Sequence, residues 1–203
     1  MRHFLFYAFI ISIAFACHPK PVDNTLTPAP APPPPLPLDN STELKDSLPF
    51  PQSWVGKWKG DLNIWQGTKI VRTIPMNMVI APTDSTGQYH WTTTFGDKAD
   101  TEKPYTLKTV DAEKGHYIID EHNSIIIESY LFDNRLVSWY TVMGSLILAS
   151  FEKKEEEIEF LILAGSEKPV STTGGTKIDE EDIPEVKTMP FNVMQKAVLR
   201  PVE

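Results

Sequence analysis

Gln88-Tyr89-His90-Trp91-Thr92-Thr93-Thr94-Phe95, bracketed by Gly87 and Gly96, decides the fold of this chain. Tyr89, Trp91, Thr93 and Phe95 fall on every second position, with His90, Thr92 and Thr94 between them. That two-residue period is the signature of a β-strand with one face turned to a core. The residues themselves are aromatic or β-branched, the types that fit a pleated, half-buried surface.

The same pattern repeats on both sides at a spacing of about ten residues. Upstream lie 55–65 and 69–81, the second with Ile70, Ile74, Met76, Met78 and Ile80 on one face. Downstream lie 105–110, 115–121, 125–132, 136–142, 146–151, 158–163 and a final strand over 191–200. The joins are short and polar, such as Asp111-Ala112-Glu113-Lys114, Asp133-Asn134-Arg135 and Gly144-Ser145. Asp, Asn, Gly and Ser tolerate the positive φ angles of tight hairpins. Consecutive antiparallel strands form a meander, and one of this size removes its exposed edges by closing on itself. The expected fold is all-β, an up-and-down barrel of eight to ten strands occupying residues 52–203. Pro75 predicts an edge, bulge or break in the second strand. The stretch 165–190 reads as a long irregular loop, functional or partly disordered.

Ahead of the barrel the composition changes. Residues 18–51 hold Pro32 to Pro35 and seven further prolines, with no periodic apolar residues. Proline donates no backbone hydrogen bond, so a helix interior or central strand is excluded and polyproline II is favoured. At ~3.1 Å per residue such a tether reaches roughly 100 Å. Arg2 and the apolar run Phe4 to Ala16 precede it and end in Ala14-Phe15-Ala16 beside Cys17, the only cysteine of the chain. The run is shorter than the ~20 apolar residues of a transmembrane helix. It has the charged start, apolar middle and small-x-small end of an export signal.

Residues 1–17 resemble the lipobox signal of bacterial lipoproteins, in which the cysteine becomes the first mature residue and carries acyl chains. Ala14 stands where such signals commonly have Leu, and Phe15 where they have a small residue. The resemblance implies lipidation at Cys17 and a domain held outside the cytoplasm on a membrane of the bacterial envelope, most simply the outer membrane. An ordinary secretory signal cut after Ala16, leaving a free thiol, is the alternative. With one cysteine there is no intramolecular disulfide to support the fold.

Residues 52–203 carry 16 Lys/Arg against 23 Asp/Glu, a net charge of −7. An acidic domain is a poor partner for nucleic acid, which rewards basic patches. The barrel is expected to be monomeric.

Gly56-Lys57-Trp58 opens the first strand and resembles the Gly-x-Trp start of the lipocalin and calycin barrels. The resemblance implies a structural role for Gly56, burial of Trp58 at a closed barrel end, and an Arg from the last strand over its ring, with Arg200 as the candidate. Continued to Gly60, the motif is also similar to the start of nitrobindin-type heme barrels. The helices that accompany lipocalins and fatty-acid-binding barrels are not visible in the sequence.

A barrel of this size holds one small ligand or fills itself with side chains. The ligand-facing candidates are Trp91, Tyr105, Tyr117, Glu121 and Tyr140. Leu136, Ser138 and Tyr140 or, equally, Val137 and Trp139 would be the inward set of their strand. Asp120, Glu121 and His122 cannot converge, because neighbouring strand residues face opposite ways. His90, His116 and His122 lack metal-ligand spacing, no nucleophile elbow is present, and no metal, cofactor or catalytic group is expected. The function expected is binding of a small, largely apolar or amphipathic ligand. The alternative is a filled barrel that docks an envelope protein through its surface or the 165–190 loop. A cavity of ~300 Å³ or more would favour the first.

Overall fold

A computed structural model describes residues 49–96 and 101–202. The chain enters through a short 3-10 turn, Gln52–Trp54, and then builds strands almost without interruption. Nine follow one another in sequence: β1 (Gly56–Gln66), β2 (Lys69–Pro82), β3 (Gln88–Phe95), β4 (Glu102–Asp111), β5 (His116–Asp120), β6 (Ile126–Phe132), β7 (Arg135–Val142), β8 (Ser145–Lys154) and β9 (Glu157–Ser166). Four short strands come next: β10 (Ser171–Thr173), β11 (Lys177–Ile178), β12 (Glu181–Asp182) and β13 (Val186–Thr188). The last strand, β14 (Val193–Pro201), returns to pair with both β9 and β1, so β1–β9 and β14 make a closed antiparallel barrel of ten strands.

Alternation fixes which side chains fill it. Tyr89, Trp91 and Thr93 of β3, Met76, Met78 and Ile80 of β2, and Leu107 of β4 are all buried. The ambiguous strand β7 resolves to Leu136, Ser138 and Tyr140 inward, and Trp139 stands 71% exposed on the outer wall. Ile70, expected inside with Met76 and Met78, is exposed. A register shift at Ile64/Trp65 opposite it breaks the parity. Pro75 does not end β2 and takes the edge position expected of a strand proline. It sits where β3 pairing starts at Met76↔Phe95, so residues before it pair with β1 alone and the missing N–H breaks no ladder on the far side.

The two barrel ends differ. One is plugged by the entering chain. The Phe50 ring packs edge-on against Trp54 and Tyr117, at 4.8 and 4.9 Å between centroids. The structured domain therefore begins before Gln52 and takes in Pro49, Phe50 and Pro51, which sequence composition assigns to the tether. Cys17, the export signal and the rest of the tether lie outside the described residues.

Trp58 is buried at this plugged end, and its indole N–H donates to the Trp54 carbonyl at 3.0 Å. Gly56 takes φ +154°, and a Cβ there would come within 3.4 Å of the same indole nitrogen. Arg200 does not cover the ring. Its position on β14 has outward parity, its side chain is 69% exposed, and it pairs with Glu157. The cation over Trp58 is Lys153, with Nζ 5.3 Å from the ring centroid. Gly60 brings the seam strands together: any Cβ there would collide with the Val198 carbonyl oxygen.

The long loop is ordered. β10 pairs with β13 and, nested inside, β11 pairs with β12, making one exposed hairpin arm that turns at Asp179 and Glu180, both with positive φ.

Candidate functional site

The unplugged end carries the hairpins β1–β2, β5–β6 and β7–β8 and the base of the arm. Beneath it lies a cavity of about 170 Å³ that reaches solvent. Trp91, Phe151 and Phe160 form its floor, Phe95, Ile119, Ile127 and Ile162 its apolar wall, and Tyr105, Glu121 and Tyr140 its polar side. Trp91 is 1% exposed and continues an aromatic chain through the barrel: Phe50 meets Trp54, Trp54 stacks near Trp91, Trp91 meets Phe151 edge-on at 5.2 Å, and Phe151 meets Phe160 at 4.9 Å. The plug and the cavity floor are thus two ends of one packed row.

Parity explains the polar side. Tyr105 pairs with Trp91 across β3 and β4, so both point inward. Ile119 of β5 faces inward beside Leu107, and Glu121, two residues on, stays on that side as the strand runs out into the β5–β6 turn. The Asn123 side-chain amide donates to the Glu121 carboxylate at 3.2 Å, and the Tyr105 phenol lines the cavity beside it. Burial above all, then the Glu121 charge, raises the Tyr105 phenol far above its ordinary value. Tyr140 is raised in the same direction, by burial first and the Glu121 charge second. Both phenols thus lie near one carboxylate, whose charge disfavours their ionisation.

Of the five ligand-facing candidates, Trp91, Tyr105, Glu121 and Tyr140 come together in the cavity. Tyr117 does not: its ring lies deeper, against Phe50 in the plug. Sequence reading missed Phe151 and Phe160. They are direct cross-strand partners, placed there by the two-residue turn at Glu155 and Glu156. The signal was the symmetry of 151 and 160 about that turn.

Asp120 and His122 fall on the outer wall, opposite Glu121. Asp120 pairs with Lys108 at 2.7 Å, and His122 Nε2 lies 2.9 Å from the Thr106 hydroxyl. His90 and His116 also sit on the outer wall, so no histidine lines the cavity. A second hollow, at the plugged end, is formed by Gln52 and the polar loop between β2 and β3.

The fold is similar to that of a protein of unknown function from the DUF3598 family of Nostoc punctiforme PCC 73102, with TM-score 0.50 and 11% identity over 73% of this chain and 47% of that one. The chain spans about half the length of that protein, and the likeness is one of fold. No family model and no curated protein matches the chain.

Proposed function

We propose that this protein is a lipid-anchored, lipocalin-like barrel of the bacterial envelope that binds one small, largely apolar ligand in its interior. The observation that carries the reading is the aromatic-floored cavity with its single cluster of convergent polar groups. Its size narrows the ligand. About 170 Å³ does not reach the ~300 Å³ that would by itself favour a carrier over a filled barrel; it is comparable to the ~150 Å³ that takes a benzene ring, so the reading holds only for a ligand of that size. A six-membered ring or short branched chain fits; a folded acyl chain does not. Support for the lipocalin-like reading is the Gly56-Lys57-Trp58 start, with its Trp buried under a cation at the plugged end. Support for the anchor is the sequence alone, Cys17 after a short apolar run.

Intrinsic tryptophan fluorescence tests the cavity, because Trp91 is its floor. Titration of the full mature chain with small aromatic and aliphatic amphiphiles should give saturable quenching, weakened in Trp91→Leu. If nothing in a broad panel saturates, the carrier reading is wrong.

One observation favours a protein partner instead. On the outer wall, cross-strand pairing aligns Trp139, Leu148, Leu163, Met194 and Trp65 in one row over five strands. Such a row is an interaction surface when rimmed by polar residues. Leu148→Glu with Leu163→Glu should then abolish cross-linking to an envelope protein; an unchanged cross-linking pattern would discard this second reading.

A further inference from the structure

We propose that the cavity selects a small organic ammonium ion, an apolar ring or short branched body bearing an amine, with Glu121 as its counter-charge. The inference rests on the carrier reading above and names the class of ligand.

The polar side of the cavity is built around a carboxylate. Glu121 accepts from the Asn123 side-chain amide at 3.2 Å, lines the cavity beside Tyr105 and Tyr140, and makes no ion pair among the described residues. The other charged groups that face β5 from its neighbours, Lys108 and Asp111 of β4 and Glu128 of β6, are engaged with Asp120, Lys114 and His116 respectively. The carboxylate at the cavity is therefore held by Asn123 and has no positive partner among the described residues. An anionic ligand would be repelled there. A neutral one would leave the charge as it found it. An ammonium ion would add charge-assisted hydrogen bonds, which are about twice as strong as neutral ones.

The rest of the lining agrees. Trp91, Tyr105 and Tyr140 line the same cavity, and aromatic rings attract cations as well as apolar bodies. The Tyr140 phenol, neutral at neutral pH like any tyrosine, adds no competing negative charge. The arm that leaves this end carries Glu167, Asp179, Glu180, Glu181, Asp182 and Glu185 against Lys168, Lys177 and Lys187, a net charge of −3.

The test compares two probes of nearly equal shape, benzylammonium and benzyl alcohol, by calorimetry on the full mature chain at neutral pH. Wild type should bind the ammonium about tenfold or more tightly than the alcohol. In Glu121→Gln that ratio should fall to near one. Equal affinity in wild type, or a preference that survives in Glu121→Gln, overturns the ammonium inference and leaves the carrier reading standing. Binding of neither probe overturns both. The wild-type ratio needs no variant, so a misfolded Glu121→Gln would not shield the claim.

Discussion

Lys153, on β8, stands over the indole of Trp58, on β1, with its ammonium 5.3 Å from the ring centroid. The two strands are not neighbours, so the contact crosses the barrel interior at its plugged end. A charged side chain of inward parity is tolerated there because the ring face attracts it and its head also reaches the Glu155 carbonyl.

That contact ranks three substitutions. Trp58→Ala should destabilise by ~3–5 kcal/mol, the range for deleting a buried large aromatic. Lys153→Ala should cost about 1 kcal/mol through the lost cation–π contact and stem packing. Arg200→Ala, on an exposed pair with Glu157, should stay within about 0.5 kcal/mol. Urea denaturation measures all three; a greater loss for Arg200 than for Lys153 would reverse the assignment.

Gly60→Ala should be among the most damaging small substitutions in the chain. The added methyl has no room beside the Val198 carbonyl, so β1 and β14 must move apart along the seam. A cost above ~2 kcal/mol is expected, from strain and broken ladder hydrogen bonds. Wild-type stability in Gly60→Ala would show that the seam yields freely.

Phe50 should matter although it sits among prolines. Its ring contacts Trp54, Trp91 and Tyr117, and Phe50→Ala should cost about 2–4 kcal/mol, discounted because the residue is only partly buried. A chain starting at Gln52 should show the same loss in thermal melts, and one starting at Pro49 should melt like the full mature chain. Equal melting of both truncations would mean that the plug adds nothing.

The tyrosines set an alkaline limit. Burial first, then Glu121, raises Tyr105 and Tyr140 above the ~10 of an unfolded tyrosine. A raised value means that the folded state favours the neutral phenol. Their contribution is thus complete below pH ~10 and is lost as the pH climbs beyond it toward the folded-state values. Tyrosinate absorbance should show a group of phenols that ionise late, and Glu121→Gln should advance the onset. A single transition near pH ~10 without unfolding would contradict the buried pair.

The anchor proposed above needs the Cys17 sulfur, so Cys17→Ser should move the protein from the membrane to the soluble fraction. Continued membrane fractionation of the variant would refute the anchor.

Strands were legible wherever one face was apolar and the other not: 88–95 is both the sequence reading and the structure of β3. Where both faces are apolar the period carries no information, which is why Val137 and Trp139 competed with Leu136, Ser138 and Tyr140. The outer row explains that second apolar face. Parity gave the side of Glu121 correctly, counted from Ile119, but parity gives the face and not the depth. Tyr117 shares the face and lies in the plug, because its height depends on strand stagger and on a Phe50 that proline-rich composition concealed. Lys153 was hidden differently. Left between the strands expected over 146–151 and 158–163, it had no face at all; the two-residue turn at Glu155 and Glu156 extends both strands and aims it inward.

The seam that Gly60 permits has a kinetic meaning. Trp58 is paired with Pro201 and Gln66 with Val193, so the contacts that close the barrel join the first strand to the last. Every other ladder except β9–β14 is a local hairpin that can form early and fast, whereas this one must wait for loop closure over nearly the whole domain. During synthesis β1 is made first and its partner β14 last. Until then the meander has an open edge strand, the template on which unfinished sheets pair with one another. Substitutions along the seam should therefore act on the yield of folding, through the lifetime of that open edge, as much as on the stability of the finished barrel.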